Sequence, residues 1–131
     1  MDQSPFYGRI TSRQNPRIKE AVRLRSSRER QRHSRFIIDG AREIARALAA
    51  GITPIEAFIC DELCKSTDSH EAVAAIESTG AEVLRVSTDV FEKLAFGDRN
   101  DGVLIVAQWR QQNLADLNLP TNPIVAVLEG L

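Results

Sequence analysis

Two cysteines, two histidines and no glycine-rich run leave this 131-residue chain short of what metal centres, redox sites and nucleotide pockets are built from. Cys60 and Cys64 are spaced to stack on one helical face if their segment is helical. Zinc normally takes four N or S ligands, however, and His33 and His70 lie far away in unrelated contexts. No metal site is expected, and the thiols read as two free cysteines of a reducing compartment. Gly40 alone cannot form a phosphate-cradling loop. In the turn Gly97-Asp98-Arg99-Asn100-Asp101-Gly102 the glycine falls one place early for a calcium loop, and no downstream acid closes it. Neither histidine has a nucleophile at a recognisable spacing, so no catalytic residue is assigned. No apolar run approaches the roughly 20 residues a membrane helix needs, and Met1-Asp2-Gln3-Ser4-Pro5 lacks the basic and apolar regions of a signal peptide. The expectation is a cytoplasmic chain without membrane or metal.

What the sequence does have is a lopsided charge. The formal net charge is only −1, yet Met1 to Arg46 holds 12 basic against 5 acidic side chains, and Ala47 to Leu131 holds 5 against 13. Eleven of those twelve basic residues are arginine, whose planar fork pairs bidentately with phosphate and stacks on bases. A polyanion is the partner this implies, most simply a nucleic acid. At 43% apolar and 27% charged, the composition is otherwise that of an ordinary folded domain.

Asn15-Pro16 reads as a helix cap followed by proline at the first helical position, with Ile18, Ala21, Val22 and Arg25 continuing at helical spacing. Ser26 to Arg35 is wholly polar and reads as a solvated loop or basic arm carrying Arg28, Arg30, Arg32 and Arg35. Phe36-Ile37-Ile38 forms a short buried strand that runs into Asp39-Gly40. A helix follows on Ala41, Ile44, Ala45 and Leu48, closed by Gly51. Ile55 to Cys60 and Val83 to Val86 read as further strands. Ala72, Val73 and Ile76 mark a helix ended by Gly80, and Ser87, Thr88 and Asp89 cap a short one on Val90, Phe91 and Leu94. Val103-Leu104-Ile105-Val106-Ala107 is the clearest buried strand. This alternation predicts an α/β layered domain with helices on both faces of its sheet.

Residues 109–123, rich in Asn and Pro, read as a linker. Ile124-Val125-Ala126-Val127-Leu128 reads as an apolar strand after it, expected to open a second domain that is cut off at Leu131.

The strand-to-helix junction at Gly40 is the most specific candidate site. A helix N-terminus offers unpaired N–H groups and the positive end of its dipole to phosphate, and glycine allows close approach. Arg42 and Arg46, one helical turn apart, project beside it. Glu43 accepts from a base edge or pairs with a neighbouring arginine.

Four blocks carry a family resemblance: Ile10-Thr11-Ser12-Arg13-Gln14-Asn15-Pro16-Arg17-Ile18-Lys19, Arg35-Phe36-Ile37-Ile38-Asp39-Gly40-Ala41-Arg42-Glu43, Asp101-Gly102-Val103-Leu104-Ile105-Val106-Ala107 and Val127-Leu128-Glu129-Gly130-Leu131. In this order they resemble the N-terminal half of SpoU/TrmH-type RNA 2′-O-ribose methyltransferases. The resemblance implies a three-layer α/β/α sandwich like the kink-turn-binding ribosomal proteins over residues 1–108, a linker at 109–123 and, at 124–131, the first strand of a SPOUT methyltransferase domain. Those ribosomal proteins grip RNA with Gly-x-Asn-Glu-x-x-Lys. Here Gly40 and Glu43 match, Arg46 replaces Lys, and Arg42 departs from Asn, which removes an acceptor.

By this resemblance the full-length parent binds S-adenosylmethionine, dimerises through its missing domain and methylates rRNA or tRNA, whereas this fragment neither binds the cofactor nor turns over. The RNA-binding set expected is Arg9, Arg13, Arg17, Lys19, Arg28, Arg30, Arg32, Arg35, Gly40, Arg42, Glu43 and Arg46. Two alternatives stand beside this reading: a stand-alone non-enzymatic RNA-binding module like the kink-turn proteins, and a protein-interaction domain whose basic front meets the acidic remainder of another copy.

Overall fold

The computed structural model describes residues 8–96 and 100–130. The N-terminal pentapeptide, Gly97, Asp98 and Arg99 of the turn before the last strand, and Leu131 lie outside the described residues. Asn15 caps α1 (Pro16–Arg23), its Oδ1 accepting the Arg17 N–H at 2.9 Å with Pro16 at the helix start. Ile18 and Ala21 are the buried positions of this helix.

Residues 26–35, expected as a loop or loose arm, instead form α2 (Ser27–His33). No residue of α2 is buried, so there is no apolar stripe for a sequence pattern to find. Arg, Glu and Gln are good helix formers, and Glu29 and His33 lie 3.2 Å apart one turn on. The anchor is Arg30, whose Nη1 donates to the carbonyls of Leu24 at 2.9 Å and Arg25 at 2.7 Å. Those carbonyls follow the end of α1, where helix geometry leaves acceptors open. Ser34 then takes a left-handed conformation, φ 53°, that stops α2 and turns the chain into the sheet.

The strands are β1 (Arg35–Asp39), β2 (Pro54–Ile59), β3 (Glu82–Arg85) and β4 (Val103–Gln108). They lie in the order β1-β4-β2-β3, with β4 antiparallel to both neighbours and β3 parallel to β2. β1, β2 and β3 therefore end at the same edge of the sheet, and β1 is an outer strand. The remaining helices are α3 (Ala41–Ala49), α4 (Thr67–Glu77) and α5 (Thr88–Leu94), and Ser87 caps α5 through its side chain.

Alternation along the strands divides the interior into two cores. Phe58, Leu104 and Val106 pack under α1 and α5 with Ile18, Leu24, Val90 and Phe91. Ala57, Ile59, Val103 and Ile105 pack under α3 and α4 with Ile44, Ala72 and Ile76. These are the three layers the alternating pattern predicts. The apolar run from Ile124 does not form a strand. Residues 117–130 contain no strand, and Ile124 is 99% exposed, because an extended segment without a neighbouring strand has nothing to receive its backbone hydrogen bonds.

Candidate nucleic-acid interface

Placing the expected basic residues in the fold separates them by partner. Arg17 is committed to the structure, with its Nη2 2.6 Å from Glu56 Oε2 and 2.7 Å from Glu82 Oε2. Arg9 pairs with Glu62 at 2.7 Å. Arg13 lies 3.9 Å from Asp89 and Arg42 lies 3.8 Å from Asp68, both long pairs between exposed groups, which bind weakly in water. Arg30 is spent on the carbonyls that follow α1. Among the described residues, Lys19, Arg28, Arg32, Arg35 and Arg46 are exposed and make no ion pair.

The Gly40 junction has a different geometry from the one expected. Gly40 is buried, with φ 112°, a conformation suited to glycine. The Ala41 N–H, first in α3, donates to Asp101 Oδ2 at 2.9 Å. Beside it the Phe96 N–H donates to Asp39 Oδ2 at 2.7 Å. A carboxylate therefore already takes the first N–H of the helix end that a phosphate would approach, which the reading of that end as open did not include. The signal was Asp101, but its sequence distance from Ala41 hides the contact.

The junction and the basic helix also sit at opposite ends of β1, because α2 leads into Arg35 whereas Gly40 follows Asp39. Five strand residues separate them, roughly 16 Å. Arg42 and Arg46 stay beside Gly40 on α3. A separate basic group lies where α2, the start of β1 and the end of α1 meet. There Arg23, His33 and Arg35 line a cleft of about 300 Å³ together with Glu20 and Glu56. Arg23 is a residue that sequence reasoning left out of the interface. Its place on the polar face of α1 was legible, but the cleft needs α2 to be folded against β1.

Other charged groups serve the scaffold. Arg25 donates to the carbonyls of Leu94 and Ala95 at the end of α5 and lies 5.0 Å from the Phe96 ring centre. Burial pushes the Cys64 thiol up to about 11 and raises that of Cys60, and the Cys60 thiol donates to Glu62 at 3.1 Å. Cys60 and Cys64 are free. Among the described residues no cluster of His, Cys, Asp and Glu is placed to hold a metal ion, and no helix is long and apolar enough to cross a membrane.

Residues 15–105 match the family model of the MRM3-like substrate binding domain. The chain belongs to that family. A solved RNA 2′-O ribose methyltransferase is 36% identical over 86% of this chain and 42% of its own length, with a TM-score of 0.73. An rRNA methyltransferase from Sinorhizobium meliloti is 21% identical over 83% of this chain and 39% of its own, TM-score 0.66. The SpoU methyltransferase AviRb from Streptomyces viridochromogenes is 18% identical over 81% of this chain and 37% of its own, TM-score 0.65. The last two share the fold. No curated protein matches. The chain spans about two fifths of the length of these solved structures. It is an MRM3-like substrate-binding domain, a mixed α/β sandwich with a four-stranded sheet.

Proposed function

We propose that this domain holds structured rRNA or tRNA for an S-adenosylmethionine-dependent RNA 2′-O-ribose methyltransferase of the SpoU/TrmH family acting in the cytoplasm. The observation that carries the reading is the membership of residues 15–105 in a substrate-binding family, joined to exposed arginines at one end of β1. In this reading residues 109–123 are the linker and residues 124–131 open the catalytic domain. The cofactor and the dimer contacts belong to that domain, and the fragment alone is inactive.

RNA meets the domain along α2 and the adjoining β1 end. Arg28, Arg32, Arg35 and Arg23 supply the phosphate contacts, with Lys19 and Arg46 as flanking charges. Structured RNA is held mostly through its backbone and shape, which suits flexible, exposed guanidinium groups. With about five phosphates neutralised, log affinity falls against log salt with a slope of about −4.

The test is fluorescence anisotropy with a labelled structured rRNA or tRNA fragment. Arg28→Glu with Arg32→Glu is expected to weaken binding by at least about tenfold and to flatten the salt slope. Arg42→Glu with Arg46→Glu, near the capped helix end, is expected to do less. Equal affinity of the first double variant and the unaltered domain overturns the interface. Salt-reversible self-association without RNA affinity, seen by sedimentation, favours the protein-interaction alternative.

A further inference from the structure

Trp109 is the chain's single tryptophan, and it lies immediately beyond β4, its N–H donating to the Ser34 carbonyl at 2.8 Å. This bond continues the β1–β4 pairing past Arg35 and Gln108. Residues two apart on a strand share a face, so Trp109 stands on the same side of the sheet as Ala107, and Phe36 is paired with Ala107. Trp109, Phe36 and Arg30 together line an open, largely apolar depression of about 320 Å³. The Arg30 guanidinium there is held by its two carbonyl bonds. A second depression of about 180 Å³ shares Trp109 and is lined by Gln31, Ser34 and Gln111.

We infer that this shelf is a stacking site for one unpaired nucleobase, an inference that rests on the RNA-binding reading above. Two partly buried aromatic rings and a fixed guanidinium plane offer π surfaces, which accept any base. The amides of Gln31 and Gln111 stand where donors and acceptors meet a base edge. Charge decides the occupant. Arg28, Arg32 and Arg35 belong to the same helix and strand start as Arg30 and Phe36, and a phosphate chain brought there delivers its bases to the shelf. An apolar protein segment would gain nothing from those arginines. Duplex RNA keeps its bases stacked, so the shelf selects a loop, bulge or single-stranded end.

Because Trp109 is the only indole, its fluorescence reports the shelf without any substitution. The experiment titrates this 131-residue chain with an oligoadenylate of roughly ten nucleotides and with an RNA duplex of matching phosphate number. Strong quenching by the single strand and weak quenching by the duplex is the expected result. Trp109→Leu is expected to weaken single-strand affinity about tenfold while leaving the salt slope unchanged, and Trp109→Phe is expected to recover much of the loss. Circular dichroism establishes that both variants fold. If RNA binds by anisotropy but the indole emission does not change, the shelf is not the site, although the RNA-binding reading survives. If iodide fails to quench the indole before RNA is added, another part of the protein covers the shelf and the inference is overturned. Absence of binding to any RNA ends both readings.

Discussion

Glu56 and Glu82 stand side by side on neighbouring parallel strands, and both carboxylates close on one guanidinium nitrogen of Arg17, at 2.6 and 2.7 Å. Like charges directly abreast on a sheet repel, and the Glu56 side chain is only 11% exposed. Arg17 therefore ties the start of α1 to β2 and β3 while neutralising a pair the sheet would not otherwise tolerate. Its part in the molecule is architectural, although sequence reasoning placed it among the RNA contacts.

Replacing Arg17 by Met keeps the aliphatic stem and removes the charge. The loss falls between that of an exposed and a buried pair, about 2 kcal/mol. Adding Glu56→Gln is expected to restore about half, because the stranded carboxylate is gone. Urea unfolding of the two single variants and the double variant checks the coupling, and strict additivity would show that the three groups do not act together.

Acid should expose the same cluster. The Arg17 hydrogen bond and charge hold the Glu82 carboxyl below its ordinary value of 4.5, so the folded state favours the ionised form. That stabilisation is fully present above pH 4.5 and is lost as pH falls through the lowered value. Glu82→Gln is therefore expected to lower the urea midpoint at neutral pH and to converge with the unaltered protein in acid. A constant difference from neutral to about pH 3 would contradict the assignment.

The strands and most helices were legible because burial writes itself into composition. Val103 to Ala107 is covered on both faces, and it appears as an unbroken apolar run. Helix α2 left no such trace, since it buries nothing and is held by Arg30 reaching back to Leu24 and Arg25. The same limit applies to the interface. A sequence counts arginines without saying which are spent on carboxylates or carbonyls, so Arg17 and Arg30 looked as available as Arg28 and Arg32. Trp109 was read as the start of the linker, because its pairing to Ser34 is visible only once β1 and β4 are in register.

Gly102 is a point where backbone conformation and close packing coincide. Its φ is +79°, and a Cβ there would lie 2.8 Å from the Cys60 carbonyl oxygen, 2.8 Å from Cys64 Sγ and 2.9 Å from the Cys64 nitrogen. The Gly102 carbonyl also receives the Cys60 N–H at 2.9 Å. Gly102→Ala is expected to cost roughly 3 kcal/mol through strain and clash together. Faster alkylation of Cys60 and Cys64 should accompany it, because the intact fold keeps both thiols raised and protonated. Thermal melting and the rate of thiol labelling measure the two effects, and a variant as stable as the parent would show that the loop yields freely.

Asp101 offers the sharpest separation between building the fold and binding RNA. Its carboxylate accepts the Ala41 N–H at 2.9 Å and its carbonyl accepts the Ser69 hydroxyl at 2.7 Å, so it pins both α3 and α4 to the entry of β4. Asp101→Ala removes the cap and is expected to lower stability by about 1–2 kcal/mol, with Asp101→Asn costing less because its oxygen still accepts. The same change strips a negative charge from the helix end and opens the N–H groups. If RNA phosphate docked at Gly40, Asp101→Ala would tighten binding, because the competing anion would be gone. On the interface proposed at the other end of β1, RNA affinity is expected to stay within about twofold of the parent's at fixed salt. A marked gain in affinity would return the interface to the strand-to-helix junction and displace the arginines of α2 from the central role.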